Sequence, residues 1–248
     1  MYILFTGAPG SKWSSVVKNI YWSDDIDHTD YSEERTYWHD ADTPGRKHLM
    51  HIGAYFDPGM EFRPTRDNWD LPFSGTGKRI IKSHTFAHEL DHLKNLGYPI
   101  VMVYRNDYEC LEWWKLCGEF NITYPNYQHF VNLDLMWEHI QAENKDTMQF
   151  IKDNKDRIHK PNYNVDLCRL LEISFPDSKG RIHNYTDKGI QVYVYKYLGR
   201  RKSSKQLSLQ QVAQRHGLCP TSRQIHRRLA DGTAICDRRC QTTKLGQS

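Results

Sequence analysis

Residues 78–105, KRIIKSHTFAHELDHLKNLGYPIVMVYR, constrain the fold more than any other stretch. Two apolar runs of strand length, 78–84 and 99–105, flank a segment with Phe86, Leu90, Leu93 and Leu96 at helical spacing. That segment ends in Gly97, a helix stop. A strand, a helix and a second strand in this order predict a right-handed crossover between parallel strands. The fold class that follows is α/β, with three α/β/α layers around a central, mostly parallel sheet.

The chain starts MYILFTGAPGSKWSSVVKNIY. Residues 2–6 predict a buried strand and 11–22 the helix that it feeds. Between them Gly7, Ala8, Pro9, Gly10, Ser11, Lys12, Trp13, Ser14 and Ser15 form a candidate anion-binding loop. Backbone N–H groups at a glycine turn that opens a helix can hold an anion. Ser14 and Ser15 would add hydroxyl donors and Lys12 a point charge. The same residues also read as a plain strand-to-helix turn that needs glycine only for positive φ. The loop departs from G-x-x-x-x-G-K-[ST]: Trp13 holds the lysine position and Lys12 stands where the second glycine should be. An ATP enzyme also needs an Asp for Mg²⁺. Here Asp107 comes only after Arg105, so an ATP–Mg small-molecule kinase remains the alternative rather than the first reading.

Residues 23–47 and the stretch from the Asp57-Pro58-Gly59 turn to Gly77 predict irregular, functional segments around the short apolar run 48–56. A helix is expected from 108, a helical region over 126–172, and a late strand or hairpin arm at 190–198. Trp113, Trp114 and Trp137, with 124–127 (Tyr-Pro-Asn-Tyr), suit core or cofactor-wall positions.

Composition shifts at Gly199. Residues 199–248 hold eleven Lys/Arg against two Asp/Glu, a net +9; residues 1–198 hold 23 against 28, a net −5. This predicts a body at 1–198 and a basic helical tail at 199–248. The stretch 207–229 in that tail has the cadence of a helix-turn-helix, with Arg223, His226, Arg227 and Arg228 on its second helix. Weak nucleic-acid contact is expected there, if anywhere. The six cysteines show no dense disulfide pattern, and the start lacks the features of a secretory signal. With no apolar run of membrane length, a cytoplasmic protein with reduced thiols and no membrane partner is expected.

The loop at 7–15, Lys82-Ser83-His84 and Arg105-Asn106 stand in one order, separated by one helix and one strand. In this the chain resembles the cytosolic-type sulfotransferase family. Its segments GAYFDPGMEF, IKSH and YECLEWW are also similar to sulfotransferase-like proteins of marine phages. The resemblance spans roughly residues 1–198. It implies a P-loop NTPase-like fold and 3′-phosphoadenosine 5′-phosphosulfate (PAPS) as sulfuryl donor, with no metal. It implies a small-molecule or saccharide acceptor and, for a phage gene, a host cytoplasm. By the same resemblance His84 would take the acceptor proton, a task suited to imidazole. Lys12 and Lys82 would support the transferring group, and Arg105 would clamp the 3′-phosphate. Trp13 would wall the nucleotide.

Three departures stand out. The family lysine comes earlier, within P-K-S-G-T-T-W, where Gly10 lies here. Trp113 replaces a serine eight residues after the arginine. The closing G-x-x-G-x-x-K is missing, with Arg200, Arg201, Lys202 and Lys205 as the nearest cations.

HELDH, 88–92, raises a different class. On a helix His88 and His92 would share a face and could bind zinc, with Glu89 as base and Glu112 as a third ligand. Against this zinc hydrolase, Leu90, Leu93 and Leu96 must face the sheet, which leaves HELDH as a solvated polar face.

Overall fold

The structure is a computed structural model describing residues 1–40, 47–57, 68–116, 132–176, 185 and 189–196. Its contacts divide the chain into Met1–Leu198 and Gly199–Ser248. The second unit, with the predicted helix-turn-helix and substitute cations, lies outside the described residues, as do Pro58, Gly59 and the stretch 124–127.

Period-two alternation sets the layers. In β1 (Tyr2–Gly7) Ile3 and Phe5 join one apolar cluster and Leu4 another. In β5 (Ile100–Tyr104) Val101 and Val103 fall on the first side, Ile100 and Met102 on the second. The first side is covered by α1 (Trp13–Lys18) and α5 (Asn164–Leu171), through Trp13, Val16, Val17, Leu167, Cys168 and Leu171. The second side takes Phe86, then Leu90 and Leu93 of α2 (Leu90–Leu93), and Phe150 of α4 (Leu133–Asp153). A third cluster joins Ala8 of the loop to Cys110 and Trp114 of α3 (Asp107–Leu116) and to Met136 and Ile140 of α4.

Five strands form the central sheet in the order β4-β1-β5-β7-β6, with β4 at Arg79–Lys82, β6 at Ile158–His159 and β7 at Gln191–Tyr195. β1 pairs parallel with β4 on one side and β5 on the other. β7 runs antiparallel to both neighbours, so four of the five strands point one way. The protein is therefore a mixed α/β fold with a mostly parallel central sheet. Among the described residues no helix is long and apolar enough to cross a membrane.

Several local expectations are corrected. Residues 85–97 are not one helix: a 3₁₀ segment at His84–Glu89 leads into α2 and then a 3₁₀ turn at Lys94–Leu96. Phe86, Leu90 and Leu93 are buried as their spacing predicts, while Leu96 is exposed. The helix expected at 11–22 shortens to α1, and the region 126–172 contains β6 between α4 and α5. Two residues are too few to show a strand period. The irregular stretch 23–47 includes β2 (Thr36–Asp40), which pairs antiparallel with β3 (Lys47–Ile52) as a separate hairpin. Its strand β2 leaves Tyr37 and Trp38 exposed, whereas Ile52 of β3 is buried in the first cluster with Leu49 packed against it.

Candidate functional site

The site is built where β4, β1 and β5 end side by side. The chain leaves β1 towards β4 and leaves β5 towards the opposite edge, so the connections diverge between β1 and β5. In open α/β sheets such a divergence opens a crevice at the carboxyl ends of the strands. The loop 7–12 and Arg105 border it.

The loop is tightly packed. A Cβ on Gly7 would lie 2.8 Å from the Val103 carbonyl oxygen and 2.7 Å from Ser11 Oγ. Gly10 has φ +78°, and a Cβ there would overlap the Cys110 carbonyl at 1.8 Å. Both glycines are thus required by close approach, and Gly10 also by its backbone. Ser11 closes the turn with its N–H on the Ala8 carbonyl at 3.0 Å, and its buried hydroxyl makes no hydrogen bond. Lys12 is left-handed (φ 66°) and precedes α1. Its Nζ lies 3.8 Å from the centre of the Trp113 ring on α3. Lys12 and Trp113 therefore meet in one cation–π contact.

His84 is fastened to the loop. Its Nδ1 is 2.7 Å from the Gly7 carbonyl oxygen. A carbonyl only accepts, so Nδ1 carries the proton and Nε2 keeps the lone pair in the neutral ring. The Thr6 hydroxyl donates to the His84 carbonyl at 3.2 Å, and the Ser83 N–H to the Phe5 carbonyl at 3.1 Å. These bonds hold the end of β4 against β1.

Lys82 is placed differently from expectation. Alternation puts it on the same side as Ile80, under α1, where it is 1% exposed. Its ammonium pairs with Asp57 and donates to Ser14 Oγ at 2.9 Å. His51 Nδ1 lies 3.4 Å from the same carboxylate. Burial works to raise the Asp57 carboxyl, but the Lys82 ammonium and His51 outweigh it and hold it below the usual carboxylate range. Lys82 therefore ties α1 to Asp57. Trp13 is 4% exposed, its ring 4.4 Å from His84 and 4.9 Å from Lys82 Nζ, so it packs against both.

Arg105 follows β5. Its Nη1 donates to the Glu109 carbonyl at 3.0 Å, and its Nε lies 3.4 Å from Glu109 Oε2 while making no hydrogen bond. Ser15 stands at the start of α1, with its N–H on the Lys12 carbonyl at 2.9 Å. Burial pushes the Cys110 thiol up to about 12 and Cys168 to about 11, so neither supplies a thiolate near neutral pH.

No protein-family model, curated protein or solved structure matches this chain.

Glu143 was not legible in the sequence. It is fully buried on α4, 3.7 Å from His84 Nδ1 and 3.0 Å from His139 Nε2. Burial works to raise its carboxyl, but His139 and His84 outweigh it and hold it low. Its i, i+4 relation to His139 was the one available signal. Of the HELDH motif, His88 and His92 are both exposed, one in the 3₁₀ segment and the other in α2. His88 groups with His139 and Glu143 and not with His92. A separate open groove of about 550 Å³ is lined by Asp24, Asp25, Asp27 and His28. Its acidic wall disfavours phosphate groups there.

Proposed function

We propose that this chain is a P-loop-type sulfotransferase that uses PAPS and transfers its sulfuryl group to a hydroxyl or amine on a small molecule or saccharide. The observation that carries the reading is the 2.7 Å bond between His84 Nδ1 and the Gly7 carbonyl. It sets an imidazole whose Nε2 holds a lone pair in the neutral ring beside the glycine loop that follows β1. A general base and an anion cradle are the two parts that this reaction needs.

In the proposed step Nε2 of His84 takes the acceptor proton while the acceptor oxygen or nitrogen bonds to sulfur. The bond from sulfur to the bridging 5′-phosphate oxygen breaks, and adenosine 3′,5′-diphosphate leaves with that electron pair. Loop N–H groups and Lys12 stabilise the charge gathering on the leaving oxygen. Arg105 moves from Glu109 to the 3′-phosphate. Lys82 acts at one remove, holding Ser14 and α1 beneath the loop. The placement of β1 between β4 and β5 supports the P-loop assignment.

Calorimetric titration with adenosine 3′,5′-diphosphate, beside ATP–Mg²⁺, tests the reading. Binding of the diphosphate in preference to ATP–Mg²⁺ is expected. Binding of ATP–Mg²⁺ alone would replace the proposal with a kinase, and binding of neither would leave a structural turn.

A further inference from the structure

Glu143 presents a problem of charge. Its side chain is fully buried, and neither carboxylate oxygen accepts an aligned hydrogen bond. A buried carboxylate needs a cation or donors to offset lost hydration. Around it stand His84, whose Nδ1 proton is given to Gly7, and His139, one helical turn earlier on α4. His88 completes the group from the 3₁₀ segment packed on α4. One ligand-capable atom from each of His88, His139 and Glu143 lies within 4.8 Å of the others.

We propose that His88, His139 and Glu143 bind a divalent transition-metal ion of the zinc type. Two imidazoles and one carboxylate form a donor set suited to such an ion, with water completing the coordination. Asp146 supplies the orienting partner. Its Oδ2 lies 2.6 Å from His88 Nδ1, which therefore donates, so that His88 Nε2 keeps its lone pair for the metal. A carboxylate behind a ligating histidine is the usual outer-shell arrangement. Bonds of about 2.0–2.2 Å need ligand atoms about 3.3 Å apart. Rotation of exposed His88 supplies the approach and leaves an entry from solvent. The site lies behind His84, on the side of Glu143, and does not depend on the sulfuryl-transfer reading. It shares only His88 with HELDH.

The test is cobalt titration of chelator-stripped, full-length protein, followed by visible absorption and by elemental analysis after zinc exchange. One bound Co²⁺ with bands of nitrogen and oxygen ligation is expected. His88→Ala, on the exposed turn, and Glu143→Gln should each weaken binding by at least ~10-fold, and Asp146→Asn by about 10-fold. His92→Ala should bind like the parent. Circular dichroism of each variant separates ligand loss from unfolding. Absence of cobalt binding, parent-like affinity in His88→Ala, or an intense thiolate charge-transfer band placing the ion on cysteines would each overturn the site. Equal losses in His92→Ala and His88→Ala would restore the HELDH arrangement in its place.

Discussion

His84 and Gly7 are 77 positions apart in the chain, yet the ring nitrogen of one lies 2.7 Å from the carbonyl oxygen of the other. The bond fixes the tautomer of His84 and the height of the loop together. A change at either end alters both the base and the anion cradle.

His84→Asn keeps an N–H near the position of Nδ1 for the Gly7 carbonyl but has no basic nitrogen. Sulfuryl transfer from PAPS should fall by about 10²–10⁴-fold. Calorimetric affinity for adenosine 3′,5′-diphosphate should stay near the parent value. Transfer at the parental rate would remove His84 as the base.

Arg105→Ala should weaken binding of adenosine 3′,5′-diphosphate by about 1.5–3 kcal/mol, the range for a charge-assisted hydrogen bond. Adenosine 5′-monophosphate should be affected far less. Competition titrations of both nucleotides give the comparison, and equal losses would argue against a 3′-phosphate clamp.

The Asp57–Lys82 pair is buried on both sides, each side chain 1% exposed. Removing one partner strands a charge, so Asp57→Asn should cost about 3–5 kcal/mol in chemical denaturation at neutral pH. Lys82→Met combined with Asp57→Leu should cost less than either single change, because no buried charge is left unpaired.

The pH dependence has a definite sign. The folded-state pKa of Asp57 is depressed below the unfolded value of 3.8. Its stabilisation is therefore fully present above about pH 4 and is lost as pH falls towards the folded value. The gap in melting temperature between parent and Asp57→Asn should narrow on acidification below about pH 4. Parallel curves would mean that Asp57 does not carry this linkage.

Gly10→Ala places a side chain at φ +78° and against the Cys110 carbonyl. A loss of about 1–3 kcal/mol is expected from the backbone conformation. An unchanged melting temperature would show that the loop has another path past α3.

Much of the framework was legible because its signals are local. The runs at β1, β4 and β5 alternate or are continuously apolar, and β7 alternates against the antiparallel edge. Spacing also placed His84 at the end of β4 and Arg105 just past β5. The β2–β3 hairpin and β6 were missed, the first because β2 leaves its aromatic residues Tyr37 and Trp38 exposed and the second for want of length.

The sequence by itself determined the positions of β1, β4, β5 and β7, the glycine loop and the residues that follow those strands, since backbone period and turn chemistry act over a few neighbours. The order of the strands in the sheet was set by tertiary structure. Tertiary structure alone decided what those residues touch. Lys82 found Asp57 across 25 positions, Lys12 met Trp113 on another helix, and Glu143 came to rest among histidines from two elements. Such partners are set by how helices pack on a sheet, and the resulting burial makes Lys82 and Asp57 a desolvated pair.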